Sequence, residues 1–169
     1  MAKIQSMEDL MVHELQDLRS AEEQLVEALP KMAEAASSAQ LKKAFNAHLK
    51  QTQTQLTRME KALQHMGKGP GNMKCKGMEG LVKEGDEVIK NVTDPQTRDA
   101  ALIGAAQRVE HYEIAGYGTA RAHAEALGLT EIADLLQVTL DEEGETNKLL
   151  TQLAEGRMTS GVNERAAVR

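Results

Sequence analysis

Apolar residues recur every three or four positions along most of the chain, which is the spacing of one face of an α-helix. The first such line runs through Met7, Met11, Leu15, Leu18, Leu25, Leu29 and Met32. It predicts a helix that begins after Ser6, with Ser6 and Asp9 as a capping pair, and that fades near Ala36-Ser37-Ser38. Pro30 falls inside this line and predicts a kink, because proline lacks an N–H and crowds the preceding turn. The second line is Leu41, Phe45, His48, Thr52, Leu56, Met59 and Leu63, a helix from Ser38 to Met66. Gly67-Lys68-Gly69-Pro70-Gly71 ends it. A shorter helix within residues 72–93 carries Met78, Leu81, Val82, Val88 and Ile89, and Thr93-Asp94-Pro95 breaks it. A third long helix runs from Gln96 to Leu127, with Gly128 as its C-terminal cap. Thr130 is read as the cap of a fourth, which reaches Ala154.

Four long helices in two pairs follow from this pattern, with turns near residues 37 and 128 and a longer crossover that has its own short helix. Short turns make antiparallel neighbours, and one long crossover is the ferritin-like variant of the bundle. The expected fold is therefore all-α: a ferritin-like antiparallel four-helix bundle with a short additional helix in the crossover. Residues 1–155 form this domain, and 156–169, with Gly156 and Gly161 in a mixed polar composition, read as a flexible tail.

Composition narrows the classes. A length of 169 residues suits one domain with a real core. Only Phe45, Tyr112 and Tyr117 are aromatic, so the core must be Leu, Ala, Met, Ile and Val. A formal charge of −6 argues against a nucleic-acid partner, which needs clustered Lys and Arg, and against an anionic membrane surface. No apolar run approaches the ~20 residues that span a bilayer. The opening residues Met1 to Asp9 turn acidic where a signal peptide turns apolar, and Cys75 has no second cysteine to pair with. The expected location is the cytoplasm.

Polar residues interrupt the apolar lines at one level. Glu22 lies between Leu18 and Leu25, and His48 takes a core position between Phe45 and Thr52. Glu110 and Glu113 share a face of the third long helix, and Glu142 and Glu145 share a face of the fourth, between Leu136 and Leu149. Folding each pair about its turn brings Glu22 level with position 52, and Glu113 level with 143–144. All four long helices can thus contribute to one polar layer. Carboxylates buried together repel and lose hydration, so protons or cations must compensate. Carboxylates with imidazole are the usual ligands of iron or manganese in such a bundle, one Glu from each of two helices and Glu-x-x-His from the others. Here Glu113 and Glu145 stand where a histidine would complete that pattern, and Lys50, Gln51, Thr52 and Gln53 give the second helix no carboxylate. Alone, each pair reads as a solvated helix face rather than a metal site, and only the shared level across both hairpins sets the two readings on equal terms. His13, His65 and His123 read as surface residues, and His111 should point away from Glu110. Cys75, flanked by Lys74 and Lys76, is read as an inert thiol.

Several stretches carry a family resemblance: Ser20-Ala21-Glu22-Glu23-Gln24-Leu25, Ala28-Leu29-Pro30-Lys31-Met32, and Ala44-Phe45-Asn46-Ala47-His48-Leu49 with Thr52. Met73-Lys74-Cys75 with Met78-Glu79-Gly80-Leu81, and Arg98-Asp99-Ala100-Ala101-Leu102-Ile103, continue it. The most specific run is Val109-Glu110-His111-Tyr112-Glu113-Ile114-Ala115 with Tyr117-Gly118-Thr119, followed by Thr139-Leu140-Asp141-Glu142-Glu143. Over residues 5 to 155 the chain resembles the bacterial YciF/YciE-type ferritin-like stress proteins. The resemblance implies a rubrerythrin-like bundle, a homodimer, a link to stress, and a dinuclear iron site. It places carboxylate ligands at Glu22, Glu110, Glu113 and Glu142, and a recurrent histidine at His48. The chain departs from the family at Lys50 and Gln51, where members often carry Glu, and at Glu145, where some carry His.

Two functions remain open at this point. One is a di-metal oxidoreductase or iron-binding protein in which Glu22, His48, Glu110, Glu113, Glu142 and Glu145 hold metal, oxygen or peroxide is the small-molecule oxidant, and Tyr112 or Tyr117 is a redox neighbour. The other is a metal-free structural or interaction bundle. A storage cage ranks below both. In either case the crossover segment Met73–Ile89 is expected at or near a homodimer interface.

Overall fold

Each of the first four helices starts where a short side chain takes up a free backbone N–H. In the computed structural model, which describes residues 3–166 with side chains through Gly156, α1 spans Met7–Ala35, and Ser6 Oγ accepts from the Asp9 N–H at 3.0 Å. Helix α2 spans Ala39–His65 and is capped by Ser38. Helix α3 spans Lys76–Asn91, with Cys75 Sγ as its cap, and α4 spans Pro95–Ala126, with Asp94 as cap and proline in the first turn. Helix α5 spans Thr130–Ala166.

The α4–α5 turn closes as a Schellman-type cap: the Leu129 N–H reaches the Ala124 carbonyl at 2.9 Å, and the Gly128 N–H reaches the Glu125 carbonyl at 3.0 Å. Gly128 adopts φ +70°, which a β-carbon would strain. Thr130 is the first residue of α5 rather than its cap, since the Leu129 carbonyl already accepts from the Ala133 N–H. Helix α1 runs through Pro30 as one element. Helix α5 continues through Ala166, past the point where the sequence predicts a tail; residues 167–169 of that segment lie outside the described residues.

Helices α1 and α2 form one hairpin, and α4 and α5 the other; α1 packs on α4 and α2 on α5, while α3 lies across α1 and α4. This is the ferritin-like bundle, and no strand occurs among the described residues. Asp99 fixes the α1–α2 turn to α4 by accepting from the backbone N–H groups of Ser37 at 2.7 Å and Ser38 at 2.8 Å. Leu81, Val82, Val88 and Ile89 of α3 pack half-buried on the monomer core.

The core comes in two apolar halves. One holds Leu25, Leu29, Phe45, Met78, Leu102, Ile103 and Leu150. The other holds Met11, Leu15, Leu18, Met59, Leu63, Tyr117 and Leu136. Along every long helix the buried residues between these halves are polar.

Candidate metal centre

The four long helices send Glu22 from α1, His48, Thr52 and Gln55 from α2, Glu110 and Glu113 from α4, and Thr139 and Glu143 from α5 into this layer, all buried. Thus Glu22, His48, Glu110 and Glu113 sit where the sequence pattern puts them. The other two expected residues do not. Glu145 is 73 % exposed and pairs with Lys148 at 2.7 Å. Glu142 is 25 % exposed and lies in the fork of Arg58, Nη1–Oε2 at 2.5 Å and Nη2–Oε1 at 2.9 Å. Glu143 is the carboxylate that α5 turns inward. The inward face of α5 lies one residue on from the expected one, because Leu149 and Leu150 are adjacent and both fit the apolar period. Leu150 belongs to the core and Leu149 is exposed, and steps of seven from Leu136 lead to Glu143 and then to Leu150.

His48, Glu113 and Glu143 each present a donor atom within 4.8 Å of the others'. An ion with bonds of ~2.1 Å to nitrogen and oxygen holds opposed ligands about 4 Å apart, so this group can close on one. His48 Nε2 is 3.2 Å from Glu110 Oε1 and 3.9 Å from Glu143 Oε2. Tyr117 donates to Glu22 Oε1, and Gln55 Nε2 donates to Glu143 Oε1. Each of these two carboxylates therefore has one oxygen pinned, while its Oε2 has no hydrogen-bond partner.

The electrostatics follow from burial. Glu22 is pushed up to about 8, chiefly by burial, although the Tyr117 hydroxyl opposes this. Glu143 is pushed up to about 11 by burial and by the neighbouring charge of Glu110. Burial and Glu22 hold Glu113 well above the usual carboxylate range. Burial alone would lower His48, but the Glu110 and Glu22 carboxylates outweigh it and raise its affinity for a proton.

The layer fits a bound cation. Neither oxygen of Glu113 has a hydrogen-bond partner, nor does Oε2 of Glu22, Glu110 or Glu143. Buried polar atoms are almost always paired, so this concentration of orphaned acceptors marks a place for protons or cations. Four carboxylates match the charge of two divalent ions, and their oxygens with one imidazole suit iron or manganese.

The remaining candidates separate from the layer. His111 is exposed, and Lys50 points to solvent. His65 pairs with Glu131 at 3.0 Å, whereas His123 is half-buried. Tyr112 turns away from Glu113: its hydroxyl donates to Asp17 Oδ2 at 2.9 Å and meets Cys75 Sγ at 2.9 Å. Cys75 is fully buried, and burial raises its thiol pKa, so the flanking lysines do not make it a thiolate.

Residues 6–167 match DUF892, a domain of unknown function. Protein YciF of Escherichia coli strain K12 is 45 % identical over 164 residues, 96 % of each chain. The chain belongs to the DUF892 family. The crystal structure of the E. coli stress protein YciF superposes with a TM-score of 0.89, covering 92 % of this chain and 99 % of that one. YcfI from Rhodopseudomonas palustris, a supposed structural protein, is 42 % identical with a TM-score of 0.86, covering 89 % and 96 %. A ferritin-like diiron-carboxylate protein from Bacillus anthracis strain Ames shares the fold at a TM-score of 0.70 and 16 % identity, covering 89 % and 99 %. This DUF892 chain has no described helix long and apolar enough to cross a membrane.

Proposed function

We propose that this protein binds two iron or manganese ions in the buried polar layer, through Glu22, His48, Glu110, Glu113 and Glu143, and that the loaded centre reacts with oxygen or peroxide. The observation that carries this reading is Glu113, 1 % exposed, with both carboxylate oxygens lacking a partner. A bound metal pair would supply the electrons for reducing an oxidant. The chain's own residues prepare the place. Tyr117 and Gln55 each hold one oxygen of a carboxylate and leave the other free. Glu22, Glu113 and Glu143 carry protons that an entering cation displaces, so binding releases protons. Leu18, Leu25, Phe45 and Leu136 close the layer from both ends and keep bulk water out.

Ferrous loading without oxygen, followed by desalting and metal analysis, tests this. About two ions per chain are expected, and a chain that stays metal-free overturns the reading. A second reading, a metal-free structural bundle whose layer is neutralised by protons, is favoured by the description of YcfI. In that case divalent cations leave the melting temperature unchanged. Under either reading we place the protein in the cytoplasm as a homodimer. Val138 and Leu149, exposed about three turns apart on α5, supply apolar contact for the pairing.

A further inference from the structure

Helix α2 brings no carboxylate into the layer, yet it brings a fully buried amide, Gln55. Its Nε2 lies 3.0 Å from Glu142 Oε2 and also donates to Glu143 Oε1, while its Oε1 has no partner. Both N–H bonds of the amide are thus directed at carboxylates on α5. Glu142 is held from the outside by the Arg58 fork, and Arg58 Nη1 also reaches Thr139 Oγ1 at 3.2 Å. Donors and acceptors alternate from the surface inward: guanidinium, carboxylate, amide, carboxylate. Bidentate Arg–carboxylate pairs are geometrically specific, so Arg58 fixes where the Glu142 oxygens stand.

Without Glu142, only one carboxylate would orient the Gln55 amide. A half-turn of that amide would set its carbonyl oxygen against Glu143, where it accepts from the protonated carboxyl and holds that proton in place, and repels the ionised carboxylate that a cation requires. With the strut intact, Glu143 Oε1 is occupied and Oε2, 3.9 Å from His48 Nε2, is left unpartnered. We infer that Glu142 and Gln55 are positioning residues that aim Glu143 Oε2 at the cation site beside His48 and Glu113. This rests on the metal-binding reading above. It gives Glu142 a role other than the ligand role implied by the sequence.

The test uses cobalt(II), whose visible bands report its ligand set, titrated into the full metal-free chain. Glu142→Ala should weaken cobalt binding about tenfold or more and shift the bands, in line with the 10–100-fold typical of groups that orient a ligand. Glu142→Gln keeps an oxygen that accepts from Gln55 and should recover most of the affinity and the wild-type bands. Gln55→Met removes the donor and should match Glu142→Ala, which keeps the inference testable if one variant does not fold. Unchanged affinity and spectrum in Glu142→Ala would overturn it. Equal losses in Glu142→Ala and Glu142→Gln would make Glu142 a ligand and overturn it as well. If the wild-type chain binds no cobalt, the metal-binding reading falls by itself. Metal-free crystals of wild type and Glu142→Ala then decide: a Gln55 side chain and Glu143 carboxyl moved from their places beside His48 support positioning, and both unmoved refute it.

Discussion

Raising the pH of the metal-free protein should destabilise it across the neutral range. An ordinary glutamate ionises near 4.5, whereas in the fold Glu22 is pushed up to about 8 and Glu143 to about 11, chiefly by burial, and Glu113 is also held well above its usual range. These groups keep their protons in the folded chain and release them on unfolding. The stability they contribute is full below about 4.5 and is lost as pH rises through the folded values. His48, also raised, contributes with the same sign: its share is present at low pH and is lost as pH climbs. One such proton costs about 1.4 kcal/mol of stability per pH unit within its window. At ~2–4 °C per kcal/mol for a domain of this size, Glu22 alone lowers the melting temperature by about 3–6 °C per unit between pH 5 and 8. Glu143, pushed up to about 11, holds its proton over the same window and raises the upper bound to roughly 3 kcal/mol per pH unit, and Glu113 adds with the same sign. Melting followed by circular dichroism in chelator, from pH 5 to 8.5, measures this. A flat or rising melting temperature would show that the layer is not an assembly of buried acids, and the cation argument would fail with it. Under the metal-binding reading, saturating divalent cation should reverse the slope, because cation and proton compete for the same oxygens.

Three further outcomes follow from single residues. Glu113→Met removes two unpaired buried oxygens and should raise metal-free stability at pH 8 by about 1–3 kcal/mol while lowering cation uptake; a lower melting temperature would mean that Glu113 is satisfied in the fold. Asp99→Ala strips two charge-assisted hydrogen bonds from the α1–α2 turn and should cost about 3 kcal/mol in urea unfolding, whereas a cost below ~1 kcal/mol would mean the turn stands without α4. Leu81→Glu should lower stability by about 1–3 kcal/mol with no change of mass in light scattering; a fall to one chain mass at unchanged stability would place α3 at an interface instead.

Much of the fold was legible in the chain because helix faces and helix ends are local. The lines from Met7 to Met32 and from Leu41 to Leu63, the caps Ser6 and Gly128, and Asp94-Pro95 are set by neighbours within one or two turns. The level within each hairpin was legible too, since the two short turns set Glu22 beside His48 and Glu110 and Glu113 beside α5 by counting alone, whereas only the packing of α1 on α4 joins the two levels into one layer. The inward residue of α5 was not. Leu149 and Leu150 satisfy the helical period equally well, and only packing against α2 and α4 selects Leu150, and with it Glu143, for the interior. The choice is also enforced from outside: Arg58, on another helix, stabilises Glu142 at the surface, a pairing across 84 residues that no local pattern contains. Likewise α3 shows its apolar residues in sequence, but whether they cover their own core or another molecule depends on where α1 and α4 lie. A helix is specified by contacts near in sequence, whereas the face it buries is decided by which partners can exclude water from it. Those partners come from distant parts of the chain.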